Sequence, residues 1–322
     1  MKFGGPFPYT GPLATPENMA LTAKTAERLG FDYIWIGDHL IYPKTMKSKY
    51  PHSPDGSLPI DPRHNFFEIF TSLSFIAAHT SKIELTTNVV IAALRQPAVL
   101  ARQIASLDVI SGGRFGMVVG LGWMEDEYEA ANVAWAERGA ITDESILALR
   151  ALFAEQPFEG PHFRFGATHF YPKPTKSPFP IWIGGDSDAA IRRAARLGDG
   201  WKPVGPARES TWRAGANGAM ATRARWLKEK HAYAMQVREQ AGRRGEPLPL
   251  ASSIGMLDTA SDALTMSDRK DQILDDIAQL ADAGVSQISV LLNELNSTGP
   301  LQKILDEAQW FAEEIFPLTR DL

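Results

Sequence analysis

Gly30-Phe31-Asp32-Tyr33-Ile34-Trp35-Ile36-Gly37-Asp38-His39 is the stretch that decides the fold. Its large apolar residues, bounded by glycines, make a short buried strand, and two polar side chains follow at once. Just upstream, Thr15-Pro16-Glu17 opens a helix with a hydroxyl N-cap and a proline at the first helical position. Gly30 stops that helix as a left-handed terminator. The unit is therefore helix, strand, and polar residues at the strand's C-terminal end.

The same unit recurs outward in both directions. Strands are expected at 2–7, 82–90, 115–119, 181–183, 200–204, near 251–257 and at 287–292. Helices fall between them. One carries Phe66, Ile69, Phe70, Leu73 and Ile76 at helical spacing. Another starts at Pro97 with Leu100, Ile104 and Leu107, and is stopped by Ser111-Gly112-Gly113-Arg114. Further helices span 141–153, Asp188–Leu197, a basic region, a segment with Ile273, Leu274, Ile277 and Leu280, and a final stretch to Phe316.

Eight strand–helix pairs in 322 residues fit one (β/α)8 TIM barrel domain over 1–322, with insertions. A doubly wound open sheet would place a glycine-rich phosphate turn after its first strand, and Pro8-Tyr9-Thr10-Gly11-Pro12 is not one. Residues 41–65, with Pro43, Pro51, Pro54, Pro59 and Pro62, follow the second strand and read as a lid or binding loop on the C-terminal face. An insertion at about 154–179, before the fifth strand, contains a small hairpin within 158–171.

Composition removes several kinds of chemistry. No cysteine means no disulfide, no thiol nucleophile and no Cys-ligated metal. With 33 basic and 38 acidic residues, net −5, the chain is not built as a nucleic-acid or membrane-surface binder. No apolar run approaches the roughly 18 residues of a spanning helix, and the N-terminus lacks a signal-peptide core. The expectation is a soluble, cytoplasmic protein acting on a small molecule.

In a barrel, residues just past the strand C-termini face the active site. That rule selects Asp38, His39, Asn88, Val89, Gly120, Gly122, Trp123, Gly184, Gly185 and Asn293, and assigns Arg114 to the bottom face as a structural ion-pair partner. Asp38-His39 reads either as a carboxylate orienting a proton-moving imidazole or as a capped strand end with a satisfied histidine. No histidine pair has zinc-protease spacing; His39 with His64 or His79 is the residual metal combination, and no metal is expected. Gly184-Gly185-Asp186-Ser187-Asp188 is either a phosphate turn at a helix N-terminus or a tight turn capped by Ser187 or Asp186. Gly120-Leu121-Gly122-Trp123 leaves room for a planar ligand, with Trp123 as its wall or as core. Residues 208–244 carry nine Arg/Lys against three Glu, a solvated face or the seat of an anionic cofactor tail. Lys202, after the sixth strand, is the one candidate for a Schiff-base lysine.

At these same residues the chain resembles the luciferase-like monooxygenase superfamily, in its coenzyme F420-dependent oxidoreductase branch. The matching blocks are Gly30 to His39, Gln103 through Gly120-Leu121-Gly122-Trp123 to Tyr128, Glu137-Arg138-Gly139, Pro172-Lys173-Pro174, and Pro180 through Gly184-Gly185 to Trp201. They span about residues 1 to 205 in order; beyond that the strand–helix rhythm alone supports the resemblance. The resemblance implies a commonly dimeric barrel that holds F420, or alternatively FMN, edge-on at its C-terminal mouth. It implies that Asp38 and His39 lie beside the ring, with His39 as acid or base. It also implies a non-prolyl cis peptide at Asn88-Val89 buttressing the ring, ring contacts from Gly120, Leu121, Gly122 and Trp123, and phosphate contacts from the backbone of Gly184 and Gly185. Some F420 dehydrogenases of this fold carry a catalytic glutamate just after the Gly-x-Gly turn. Trp123 stands there instead, which argues against sugar-phosphate dehydrogenation and leaves the proton to His39; Glu125 or Glu127 would substitute only in a remodelled turn. The function implied is hydride transfer between F420 and a small organic substrate, with an FMN monooxygenase or a catalytically silent flavin-binding protein as alternatives.

Overall fold

The computed structural model describes the chain except residues 6, 52, 54, 59, 204–218, 256–266 and 292–298. Its strands are β1 (Lys2–Gly5), β2 (Tyr33–Ile36), β3 (Glu84–Thr87), β4 (Val90–Ile91), β5 (Phe115–Gly120), β6 (Phe158–Glu159), β7 (Arg164–Phe165), β8 (Ile181–Gly184), β9 (Gly200–Lys202), β10 (Leu250–Gly255) and β11 (Val285–Leu291). Around them lie α1 (Pro16–Leu29), α2 (Ile69–His79), α3 (Pro97–Ile110), α4 (Glu125–Ala130), α5 (Arg138–Phe153), α6 (Asp188–Leu197), α7 (Ala219–Gln240), α8 (Lys270–Asp282), α9 (Leu301–Glu314) and α10 (Phe316–Thr319).

All pairings in the main sheet are parallel, in the order β3-β2-β1-β11-β10-β9-β8-β5, and β3 also pairs with β5. That last pairing closes an eight-stranded barrel. The (β/α)8 expectation holds, and local chemistry explains it. Thr15 accepts the Asn18 N–H as N-cap of α1, and Gly30 ends that helix at φ +84°. Ser187 caps α6.

The third strand differs from expectation. Residues 82–90 are not one strand but β3 and β4, which meet β5 separately at Leu85–Thr86 and at Val90–Ile91. Phe66 lies outside α2, in an isolated bridge with Thr10. Val204, Leu257, Leu292, Asn293 and residues 208–218 of the basic segment lie outside the described residues. The hairpin of the insertion is β6–β7, antiparallel. Glu144 of α5 ties it down by accepting the N–H groups of His162 and Phe163 and the His162 ring.

Arg114 is structural, but through carbonyls rather than a hydrogen-bonded carboxylate. It donates to the backbone oxygens of Ala77, Thr80, Ile83 and Ser111. Inside the barrel, glycines yield their space to rings. A Cβ on Gly4 would sit 2.3 Å from the Tyr33 ring, and one on Gly200 would sit 2.2 Å from Trp182. Strand alternation then points Trp35, Thr86, Gly184, Lys202 and Ser253 inward at the next level, nearer the C-terminal mouth.

Candidate active site

The site begins at the gap between β3 and β4. The Asn88-Val89 peptide is cis, as the resemblance implied. The gap costs the ladder its regular partners opposite Val118, and the buried Thr87 hydroxyl replaces them. Oγ1 accepts the Val118 N–H and donates to the Val118 carbonyl, both at 2.8 Å. Beyond the cis bond, Val89 reaches across the barrel mouth. A Cβ on Gly120 would lie 2.3 Å from Val89 Cγ2, and one on Gly184 would lie 2.6 Å from Val89 Cγ1. Gly122 is likewise covered by Ile91. The glycines thus make room for this segment of chain; the surface offered to a ligand there is Val89 itself.

Asp38 holds that segment in place. Its carboxylate accepts from the Ile91 N–H at 2.9 Å and forms a two-pronged pair with Arg95, at 2.5 and 2.9 Å. Burial opposes the Arg95 charge, but Asp38 and Glu68 keep its pKa above the usual guanidinium value. Both oxygens of Asp38 are thus engaged within the protein. Arg95 and Thr87 were not anticipated, since neither lies just past a strand end.

His39 has a different partner from its sequence neighbour. Glu127, whose side chain is fully buried in α4, faces His39 Nδ1 at 3.0 Å and also accepts the Leu40 N–H. The carboxylate accepts, so Nδ1 carries the hydrogen between them. Nε2 has no hydrogen bond to a described residue. The imidazole stands among Tyr42, Phe66 and Trp123, at ring-centre distances of 4.9, 5.4 and 5.9 Å. Trp123 is half-buried and also meets Tyr50, so it walls the site rather than belonging to the core.

The loop at 41–65 is pinned next to this pair. Asp126 accepts the N–H groups of Lys47 and Ser48 and the Ser48 hydroxyl. Burial alone would raise its pKa, yet these donors hold it below the ordinary carboxylate value. Adjacent carboxylates of α4 therefore serve the lid and the histidine.

Other expected contacts are used within the protein. The Leu121 carbonyl accepts the Tyr128 hydroxyl at 2.5 Å. Gly185, at φ +109°, directs its N–H to the Lys202 carbonyl at 3.3 Å, not outward to a phosphate. His79 Nδ1 bonds the Phe75 carbonyl, and among the described residues no group of three His, Asp or Glu is placed to hold a metal. Lys202 lies within β9 rather than after it, and its amine donates to Ser289 at 3.0 Å. No described helix is long and apolar enough to cross a membrane.

Around Val89 the mouth is not fully closed by side chains. Val89, Thr86 and Ser253 remain partly exposed there. Trp35, pointing inward, has a buried indole N–H without a hydrogen-bond partner among the described residues, a donor suited to a ring carbonyl or ring nitrogen.

Residues 2–254 match the luciferase-like monooxygenase family, and the chain belongs to that family. It is 38% identical over 181 residues to an uncharacterised protein of Mycobacterium tuberculosis, covering 56% of this chain and 62% of that one. The chain thus spans 62% of the length of the curated relatives it first matches. Its fold is that of a monooxygenase from Streptomyces bottropensis (TM-score 0.69, 22% identity, 98% and 99% of the two chains). It is equally that of an F420-dependent secondary alcohol dehydrogenase crystallised with an F420–acetone adduct (TM-score 0.70, 18% identity, 98% of each chain).

Proposed function

We propose that the protein is an oxidoreductase that moves a hydride between coenzyme F420 and a small organic substrate at the barrel's C-terminal mouth. The observation that carries this reading is the Glu127–His39 pair. A buried carboxylate fixes one ring nitrogen as donor and leaves Nε2 available to take or give a proton beside the mouth. The cofactor, when bound, supplies or accepts the hydride. Val89 and the Asn88-Val89 backbone would support its ring, Trp35 Nε1 would donate to its polar edge, and Trp123 would close one side. The start of α6 would receive the tail. Tyr42 of the 41–65 loop packs on His39, and Tyr50 packs on Trp123, so the loop would shield the imidazole from water.

Membership of the luciferase-like monooxygenase family, and a likeness in fold to a riboflavin lyase solved with modified FMN, keep FMN as the alternative cofactor. Titrating the purified apoprotein with F420 and with FMN, by ring fluorescence, decides between them. Tighter binding of F420 by tenfold or more is expected. Preference for FMN with oxygen-consuming turnover would replace this reading with a flavin monooxygenase, and binding without turnover of any kind would leave a silent flavin-binding protein.

A further inference from the structure

Lys202 takes no part in the reading above, yet it is buried inside the barrel just below the mouth. Its register partner is Gly184, the residue on which Val89 rests. From that level its side chain descends to Ser289 of β11, and its amine lies 5.5 Å from the centre of the Tyr33 ring of β2. Tyr33 and Ser289 are themselves hydrogen-bonded at 3.2 Å. β9 and β2 are not neighbours in the barrel, so this cluster spans its interior.

The cluster is electrostatically incomplete. An ammonium has three donors, and among the described residues Nζ makes one hydrogen bond and no ion pair. A hydroxyl and a ring face are poor compensation for burying a cation. Burial accordingly pushes the amine down to about 7, where a proton is gained or lost readily. A negative charge arriving at the mouth above Gly184, the register partner of Lys202, would compensate the cluster.

We propose that Lys202 is the charge partner of the reduced, anionic form of the ring bound at the mouth, and that it favours that form over the oxidised one. This rests on the reading that a flavin or deazaflavin occupies the mouth. The balance is simple. Hydride from the substrate adds to the oxidised ring, which gains one negative charge delocalised over its carbonyl–nitrogen edge, and the proton the substrate gives up goes to His39. The neutral Lys202 amine gains a proton from solvent, so the pair ends as ammonium and anion, with no net charge gained.

The test compares wild type, Lys202→Met and Lys202→Arg, each checked for folding by circular dichroism. Affinities for oxidised and for dithionite-reduced FMN and F420 are measured anaerobically. Lys202→Met is expected to lose about tenfold for the reduced form with the oxidised form unchanged. That equals a fall of about 30 mV in the two-electron midpoint potential of the bound ring. Lys202→Arg should recover part of it. Equal changes in both forms, or none, would overturn the role of Lys202 while leaving the proposed function standing. If wild type binds neither ring, both fall. If a carboxylate-bearing substrate analogue, and not reduction, depends on Lys202, the anion is the substrate's and the proposal fails as stated.

Discussion

Glu127 and His39 lie 88 positions apart in the chain, yet the carboxylate meets the imidazole at 3.0 Å from a fully buried position. One partner follows β2 and the other lies in the first turn of α4, beyond β5, so closure of the barrel is what brings them together. Glu127→Gln removes the acceptor that fixes the tautomer while preserving shape. His39→Ala should lower kcat by about 10²–10⁴-fold with little change in cofactor affinity, a typical range for a proton-transfer group. Glu127→Gln should lower it less, and adding it to His39→Ala should cost little more. Full additivity in kcat would separate the two residues functionally.

Val89 occupies the space that side chains on Gly120 and Gly184 would need. Gly120→Ala should displace it, costing about 1–3 kcal/mol of stability and weakening cofactor binding. Pairing the change with Val89→Ala should restore part of both. Thermal unfolding and ring titration of the two single variants and the double variant report this coupling; independent effects would show that the contact carries no weight.

Thr87 supplies a donor and an acceptor where the ladder is interrupted. Thr87→Val keeps the shape but strands two buried backbone groups of Val118, at about 1–3 kcal/mol for each such group. Thr87→Ser should retain most of the stability. A denaturant midpoint for Thr87→Val equal to that of Thr87→Ser would contradict the patching role.

Asp38 is buried and Arg95 half-buried, with side-chain exposures of 2% and 14%. Removing Asp38 leaves Arg95 with the more distant Glu68 carboxylate, at 3.6 Å, so Asp38→Ala should cost up to about 3–5 kcal/mol. It should also free the segment after Val89, giving faster amide exchange at Ile91. Unchanged exchange there would remove the anchoring role.

Lys202 gives stability a specific pH dependence. Its amine is pushed down to about 7 in the folded chain, well below the ordinary value of about 10.4. Between these values the unfolded chain holds a proton that the folded one has released, so stability rises with pH across that window. Below about pH 7 the folded protein bears the whole burial penalty. Lys202→Met should therefore stabilise the apoprotein most at pH 7 and below, with the gain fading toward pH 10. A gain independent of pH would mean that the amine does not titrate there.

Much of this architecture is readable from the chain because its punctuation is local. Thr15, Pro16, Gly30 and Ser187 act within a few residues of themselves, so element ends can be placed without the fold. The gap in the third strand is not readable, because residues 82–90 have the same apolar pattern whether or not a cis bond divides them. Asp38 illustrates the other loss. Its position past β2 is a local fact, but its engagement with Arg95 depends on a segment 57 positions away. The glycines at 120 and 184 were recognisable as small, whereas the side chain they accommodate becomes visible once β3, β5 and β8 are side by side.

The rings of Tyr33 and Trp182, seated on Gly4 and Gly200, fill the barrel below the mouth. A vessel stoppered at its base has a single doorway, and traffic through one doorway must queue. Two ligands sharing that doorway should bind and leave in a fixed order, the deeper one first in and last out, and product-inhibition patterns would report it.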